Sequence, residues 1–171
     1  ADLRDTLADY VRERRNVLCS GEDIVIGAGI QSLLHILCPL LEQRQTVSFP
    51  NPSFVQGSTV FHDYGFQVDY RNKDCFLCRK PESLRAISLF LKEQTVVMRS
   101  GCSPAHMTKW GDIMPVSRRL ELVNYSAAHG SLVIEDDFEN EFVYLQKPTP
   151  SLFGLAGGQN VVYLGTFSRL L

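Results

Sequence analysis

The sequence predicts an α/β fold, a three-layer α/β/α sandwich around a mostly parallel sheet. Short apolar runs typical of strands alternate with amphipathic segments of about a dozen residues that are typical of helices. This alternation indicates parallel strands joined by crossover helices. The length of 171 residues suits one domain with its own core, and no internal repeat or linker-like tract divides it. We therefore expect a single domain over residues 1–171.

The first five elements follow from residue spacing and from helix-breaking residues. Apolar residues at helical spacing predict a first helix from Leu3 to a charged turn at Arg15. The run 23–26, ahead of two glycines, predicts a strand. Residues 31–41 are apolar on nearly every side, which predicts a buried helix. A strand is then predicted at 46–49, broken by the prolines that follow, and a helix at 53–64, ended by a glycine.

The alternation continues to the end of the chain. Residues 66–70 alternate between apolar and polar side chains, which predicts a strand. Pro81 suits the first turn of a helix, and residues 95–98 predict the next strand. An amphipathic pattern predicts a helix from Val116 that ends at Gly130. Two further apolar runs predict strands at 131–134 and 160–164.

Composition excludes several classes of protein. Hydrophobic residues make up 44% of the chain and charged residues 21%, which are values of a globular protein. No apolar run reaches the roughly 18 residues of a membrane helix, and the start lacks a signal-peptide pattern. We therefore expect a cytoplasmic protein without a membrane partner. The formal net charge of −2 argues against this stretch binding a nucleic-acid backbone by itself.

The cysteines have two interpretations. The chain has 5 cysteines, and this odd number fits reduced thiols better than a disulfide framework. Cys75 and Cys78 form a Cys-x-x-Cys pair, and a zinc-like set would add Cys102 and His106. Because a helix and a strand are predicted between the two pairs, we favour free thiols and expect no metal site.

A glycine turn at 27–32 introduces the first functional hypothesis. It is similar to the dinucleotide-binding pattern Gly-x-Gly-x-x-Gly, but Ser32 stands where the third glycine is required. No acid ends the next predicted strand to bind a ribose. The turn therefore favours a phosphate at a helix N-terminus over a whole dinucleotide.

Two other segments are candidates for chemistry. Residues 135–141 carry five acids after a predicted strand, and a solvated acidic loop or a metal site would both explain them. Residues 165–168 read Gly-Thr-Phe-Ser and place two hydroxyls on a turn after the last predicted strand. Taken alone, this segment is also compatible with an ordinary turn.

Together these segments occur in the order found in one family. The chain resembles the aminotransferase-like domain of MocR/GabR-type regulators of the GntR family, a branch of the fold type I pyridoxal-phosphate (PLP) enzymes. The motifs that carry the resemblance cover nearly the whole chain, at 3–19, 29–31, 51–54, 103–106, 114–122, 134–142 and 163–168. The last two, Ile-Glu-Asp-Asp-Phe through Glu-Phe and Tyr-Leu-Gly-Thr-Phe-Ser, are highly specific.

The resemblance implies PLP as the cofactor and assigns residues to its phosphate. The backbone amides of Gly29, Ile30 and Gln31 would bind the phosphate at a helix N-terminus. The hydroxyls of Thr166 and Ser168 would complete this phosphate site.

The resemblance also assigns residues to the pyridine ring. Phe54 would stack on the ring, and His106 occupies a further cofactor-binding position. Asp136 would pair with the ring nitrogen and keep it protonated, which lets the ring accept electrons. Asp137 is the rival, because one residue of register reverses which side chain faces inward.

Two cofactor positions depart from the family pattern. Arg169 stands at the Schiff-base lysine position, and Phe138 stands where the family has a tyrosine near the phenolic oxygen of the cofactor. A guanidinium stays protonated and is not a usable amine nucleophile, so no catalytic residue is assigned. The resemblance thus implies an effector-sensing domain that binds PLP without a covalent link and without aminotransferase activity. The alternatives are an active PLP-dependent aminotransferase and a degenerate scaffold that only dimerises.

The resemblance implies partners as well. We expect a homodimer, a small amino compound as effector, and DNA bound only through an attached domain that the sequence lacks, as it lacks the C-terminal small domain. The chain stops on two leucines after Arg169, so we expect it to be part of a longer protein. The family inserts a later antiparallel strand between the strands at 160–164 and 23–26. Without it, either those strands close up or an edge stays open.

Overall fold

In the described part of the chain, five parallel strands form one sheet, which confirms the predicted α/β fold. The computed structural model describes residues 2–41, 46–51, 55–72, 96–99, 115–137 and 150–167. The strands are β1 (Thr46–Asn51), β2 (Gln67–Asn72), β3 (Val96–Arg99), β4 (Leu132–Asp137) and β5 (Val161–Gly165). Their spatial order is β2-β1-β3-β4-β5, and each neighbouring pair is parallel.

Helices connect and cover the strands. They are α1 (Leu3–Arg15), α2 (Ile30–Leu37), α3 (Val55–Asp63), α4 (Val116–Ala128) and α5 (Leu152–Ala156), with short 3₁₀ turns at Gly21–Asp23 and Cys38–Leu41. The helix predicted after Pro81 lies outside the described residues. Within those residues, no helix has the length and apolar character needed to cross a membrane.

Alternate residues of the strands supply two separate cores, one on each face of the sheet. Ile134 and Leu164 pack with Leu34 of α2 and with Phe61 of α3. Their neighbours along the chain point to the opposite face, where Val133 and Val161 pack with Leu122 of α4 and Leu152 of α5. This division follows from the two-residue period of a strand. It confirms the helix–sheet–helix layering that the sequence predicts.

The segment predicted as a strand at 23–26 is not one. Asp23 closes a 3₁₀ turn, and Ile24 has extended angles (φ −105°, ψ 126°), but the residues that follow pair with no described strand. Val25 and Ile26 are 61% and 52% exposed. A strand requires a neighbour for its backbone groups, and the described sheet ends at β5. Within the described residues, the segment at 23–26 has therefore not closed up against β5, and β5 has no described neighbour on its outer side.

The helix predicted as buried on nearly every side is buried on one side only. Leu34 is fully buried against the sheet, while Ile36 is 49% and Leu40 75% exposed. The regular helix also ends at Leu37 and continues as the 3₁₀ turn. One face packs on the core, and the described residues do not cover the other.

Two strand boundaries and one short helix differ from the predictions. Strand β1 continues through Pro50 to Asn51. Its described pairing with β3 involves only Val47 and Ser48. The missing N–H of Pro50 is therefore tolerated, because no described bond to β3 requires it. Strand β4 continues to Asp137 rather than ending at Ile134. Helix α5, of five residues, was not predicted because it is too short for a periodic pattern.

Candidate functional site

Three successive acids are buried at the end of β4. Glu135, Asp136 and Asp137 are 1%, 5% and 3% exposed. The interpretation as a solvated acidic loop is therefore wrong for these three residues. Ionised carboxylates are costly to bury without partners, so the surroundings of each acid indicate its role. Because strand residues alternate in direction, Glu135 and Asp137 point to the face of Val133, and Asp136 points to the face of Ile134.

Asp137 forms a buried ion pair with the last residue of α1. The Arg15 Nε donates to the Asp137 Oδ2 at 2.6 Å, and the two side chains are 1% and 0% exposed. The Tyr163 hydroxyl of β5 donates to the same oxygen at 2.7 Å. Removing one partner of such a pair costs about 3–5 kcal/mol, because the other charge stays buried. We name Arg15, Asp137 and Tyr163 the ion-pair cluster.

The electrostatics fix the protonation states of Arg15 and Tyr163. Burial by itself lowers the pKa of Arg15, but the attraction of Asp137, with smaller effects of Tyr163 and Glu135, outweighs it and raises that pKa above its ordinary value. Burial, and next the negative charge of Asp137, raise the pKa of the Tyr163 hydroxyl well above 10.0. Near neutral pH, Arg15 is therefore charged and Tyr163 is a hydrogen-bond donor.

Glu135 caps the N-terminus of α5. Its Oε1 accepts the Leu152 N–H at 3.0 Å and its Oε2 accepts the Phe153 N–H at 3.3 Å. The first amides of a helix lack partners within the helix, and a carboxylate there also interacts well with the helix dipole. Burial raises the pKa of Glu135 above its ordinary value, and the Leu152 N–H opposes this effect.

The end of α1 is attached to the same region through its backbone. The carbonyl oxygen of Arg15 accepts from the Ser151 N–H at 3.1 Å and from the Ser151 Oγ at 3.0 Å. A Cβ on Gly154 would lie 2.5 Å from the carbonyl oxygen of Asn16, so only glycine permits this approach. Asn16 itself ends α1 in the left-handed conformation (φ 55°).

Asp136 lies on the sheet face covered by α2 and α3. It pairs with Leu164 across the β4–β5 ladder, and Leu164 belongs to the core that also contains Ile134 and Leu34. Ile30, at the start of α2, packs against this core. The structure therefore brings the β4 acid and the start of α2 to one face of the sheet, and it directs Asp137 away from that face.

The start of α2 is a turn that only glycine adopts easily. Gly29 has φ 87° and ψ 172°, a region that is essentially restricted to glycine. A Cβ built there meets nothing within 4 Å. The Ser32 Oγ donates back to the Gly29 carbonyl at 2.8 Å, and no described side chain caps the first amides of the helix. These amides, which include those of Ile30 and Gln31, can bind an anion.

A second glycine of the turn serves packing. A Cβ on Gly27 would lie 2.7 Å from the Ser32 Oγ and 2.8 Å from the Leu33 Cδ2. The close approach of turn and helix thus depends on Gly27, which explains why position 32 accommodates a serine.

Thr166 follows β5 and is half-buried. It lies two positions after Leu164, so it continues the side of β5 that faces the α2 core. Next to it, the Phe167 ring packs against Tyr10 of α1 with a centroid separation of 5.5 Å. This contact holds the exit of β5 against α1.

Several candidate residues lie outside the described residues. These are Phe54, His106, Phe138, Ser168 and Arg169. The zinc-like set lies outside them as well, and the described part of the chain contains no group of three or more His, Cys, Asp or Glu residues that would hold a metal ion. Of the cysteines, Cys19 and Cys38 are described, and both are free thiols.

The ion-pair cluster was missed by sequence reasoning. Acids two positions apart in a strand have their carboxylates on the same side. This signal could be used only if the predicted strand at 131–134 were extended by three residues. The partner of Asp137 is 122 residues away, and no local pattern indicates such a contact.

Comparison with known proteins identifies the family of the chain. The family model described as aminotransferase class I and II matches residues 1–171. The chain is 33% identical over 171 residues to the HTH-type transcriptional regulator YdeL of Bacillus subtilis, covering 99% of this chain and 35% of that protein. It is 27% identical over 172 residues to the pyridoxine biosynthesis regulator PdxR of Corynebacterium glutamicum, again covering 99% and 35%. The chain thus spans about a third of the length of these relatives.

Solved structures with the same fold are aminotransferases. An archaeal alanine:glyoxylate aminotransferase superimposes with a TM-score of 0.73 at 24% identity, covering 99% of this chain and 42% of that chain. LysN of Thermus thermophilus, an α-aminoadipate aminotransferase complexed with N-(5'-phosphopyridoxyl)-L-leucine, has a TM-score of 0.73 at 22% identity with the same coverage. These neighbours confirm the fold type I architecture. The chain belongs to the aminotransferase class I and II family, and within it resembles the HTH-type regulators.

Proposed function

We propose that this chain is the PLP-binding, effector-sensing part of a MocR/GabR-type transcriptional regulator, and that it lacks aminotransferase activity as it stands. The proposal rests mainly on Asp136, a buried carboxylate at the end of β4 on the face that α2 covers. The similarity to HTH-type regulators supports the regulatory role. The small amino effector and the binding of DNA by another part of the protein belong to this proposal.

The described residues fit the proposed cofactor. The space where a Cβ of Gly29 would lie is open, so a phosphate can approach the first amides of α2. The Thr166 hydroxyl supplies a further donor. A carboxylate in a buried position favours a protonated ring nitrogen, because a nearby negative charge stabilises a cation. When bound, the cofactor supplies an electron-accepting ring.

Each residue has a separate task in this proposal. Gly29, Ile30 and Gln31 bind the phosphate through their backbone amides, and Thr166 adds a hydroxyl. Asp136 holds a proton on the ring nitrogen. Ser168 would add a second hydroxyl to the phosphate site.

The remaining tasks concern the ring and its covalent link. Phe54 stacks on the ring, and His106 lines it. Phe138 cannot donate a hydrogen bond to the phenolic oxygen. Arg169 cannot form the covalent link, because its guanidinium remains protonated.

Absorbance during titration with PLP tests the proposal. We expect a saturable spectral change that borohydride does not convert into a covalent adduct. A reduced lysine adduct, if one forms, is detected by peptide mass mapping. Asp136→Asn should weaken binding, whereas Asp9→Asn, on the exposed side of α1, should not. No saturable change in the unmodified protein would support the non-binding scaffold, and a borohydride-fixed cofactor would support an active aminotransferase.

A further inference from the structure

The two residues next to Asp136 in β4 are both held by hydrogen bonds on the opposite face of the sheet. Glu135 and Asp137 flank Asp136 in the chain, and both are bound on the far face of the sheet. Glu135 accepts two N–H groups of α5 at 3.0 and 3.3 Å. Asp137 accepts from Arg15 at 2.6 Å and from Tyr163 at 2.7 Å. The backbone on each side of Asp136 is therefore held by buried contacts.

These contacts join elements that are far apart in the sequence. Arg15 ends α1, Asp137 ends β4 and Tyr163 lies in β5. The backbone of Arg15 is bound to Ser151 at the start of α5, so the end of α1 from which the guanidinium extends is held in place. Asp137 also pairs with Gly165 in the β4–β5 ladder. The ion-pair cluster thus sets the position of the last residues of β4 relative to β5 and to α1.

We propose that Arg15, Asp137 and Tyr163 are positioning residues that orient the Asp136 carboxylate through the sheet. Two anchored neighbours fix the backbone of the strand residue between them, and with it the Cα–Cβ direction of that residue. Because the allowed χ1 rotamers depend on the backbone angles, they also restrict the rotamer of its side chain. Binding sites keep their geometry when supporting residues fix the groups that contact the ligand. The proposal rests on the proposed function in naming the ring nitrogen as the ligand of Asp136. The orientation of Asp136 itself can be tested without PLP.

Tyr163→Phe is the most informative variant. It removes one hydrogen bond to Asp137 and keeps the ion pair with Arg15, so the fold should be retained. Asp137→Asn is the stronger variant, since it removes the charge that pairs with Arg15. Ser126→Ala is the matched control: it removes a buried hydroxyl that donates to the Leu122 carbonyl at 2.8 Å, within α4, a helix that contributes no residue to the ion-pair cluster.

Two measurements separate positioning from a general loss of stability. Three-bond couplings measured by NMR give the χ1 rotamer populations of Asp136 in the protein without PLP. Titration with ¹⁵N-labelled PLP gives the dissociation constant and the chemical shift of the ring nitrogen, which reports its protonation. We expect Tyr163→Phe to broaden the Asp136 rotamer distribution, to raise the dissociation constant about tenfold and to move the nitrogen shift toward the unprotonated ring. Asp137→Asn should cause the same three changes to a greater extent, and Ser126→Ala should cause none of them.

Two results would overturn the inference. One is a folded Tyr163→Phe and a folded Asp137→Asn that both keep the Asp136 rotamer of the unmodified protein. The other is an equal change in Ser126→Ala, which would indicate a general effect of stability. If the unmodified protein does not bind PLP, the proposed function fails, and the rotamer measurement still decides whether the ion-pair cluster orients Asp136.

Discussion

One residue of register separates Asp136 from Asp137 and gives them different surroundings. Asp137 is paired with Arg15 and Tyr163 on one face of the sheet. Asp136 points to the face that α2 and α3 cover, as Ile134 does two residues earlier. The resemblance assigned the ring nitrogen to Asp136, with Asp137 as the rival. The proposed function therefore takes Asp136 as the partner of the ring nitrogen, because Asp137 belongs to a buried ion pair on the other face of the sheet.

A prediction at the residue scale concerns Arg169. Replacing it with lysine supplies an amine that can lose its proton and react with the PLP aldehyde. We expect Arg169→Lys to acquire at least a fraction of borohydride-reducible PLP, seen as a retained band after reduction and dialysis. Arg4→Lys in α1, also exposed, controls for adding a lysine. A covalent adduct in the unmodified protein would contradict the prediction, and mapping it to Lys109 would show that the family alignment is wrong there.

Glu135 leads to a second prediction, on the pH dependence of stability. Because burial raises its pKa above the ordinary 4.5, the folded state binds the proton more tightly than the unfolded state does. The stability from this group is present below pH 4.5 and is lost as pH rises through the raised pKa. We therefore expect the free energy of unfolding of the protein, relative to Glu135→Gln, to fall with rising pH. The slope should be at most about 1.4 kcal/mol per pH unit.

Urea unfolding at several pH values tests this dependence. Taking the difference between the protein and Glu135→Gln cancels the groups that both share. Glu13→Gln, exposed in α1, controls for the replacement of a carboxyl by an amide. A difference that rises with pH would mean that the N–H groups of Leu152 and Phe153 outweigh burial.

At the scale of elements, the start of α2 combines a strained backbone with open space. Gly29→Ala places a Cβ in a region that L-residues avoid (φ 87°), which should cost about 1–3 kcal/mol of stability. The same Cβ occupies the open space at Gly29, which the proposed function gives to the phosphate. We therefore expect weaker PLP binding, measured by absorbance titration, as well as a lower free energy of unfolding.

Gly130→Ala is the matched control for this prediction. Gly130 also has a positive φ, of 61°, with nothing within 4 Å of a built Cβ, but it follows α4 rather than preceding α2. Its replacement should lower stability and leave the PLP dissociation constant unchanged. Equal losses of affinity in both variants would show that the effect comes from stability and not from the turn at Gly29.

At the scale of the whole molecule, the described surface retains apolar areas that suit association. Leu40 is 75% exposed and Val55 71%, and β5 is the last strand of the described sheet. Exposed apolar areas and open strand edges favour contacts with other chains. We therefore expect a homodimer, with a mass by sedimentation equilibrium of about twice the 19.3 kDa of one chain.

Leu40→Lys tests whether the α2 side takes part in the dimer. Because the side chain is mostly exposed, a lysine should leave the fold intact and shift the equilibrium toward the monomer. Leu18→Lys, at a residue 67% exposed after α1, is the control. A clean monomer of the unmodified protein at high concentration would contradict the expected dimer.

The local pattern of the sequence was sufficient for the layered fold. The two-residue and 3.6-residue periods predicted β1 to β5 and the helices α1 to α4 close to their observed positions, because each period reflects which side of an element is buried. The glycine turn at 27–29 was also predicted as an anion-binding start of a helix, since Gly29 needs a backbone conformation that other residues avoid. The family followed from motifs along the chain.

Only the tertiary structure decided what surrounds those elements. Residues 24–26 have strand-like side chains, yet no described neighbour pairs with them, because pairing depends on distant segments rather than on local preference. The extent to which α2 is buried was likewise decided by which other elements pack against it. The ion pair of Arg15 with Asp137 spans 122 residues of sequence. Local patterns predicted the elements, because periodicity is a property of neighbouring residues. Contacts between distant residues determined which β4 acid faces the candidate site, because local periodicity does not indicate which charged residues pair.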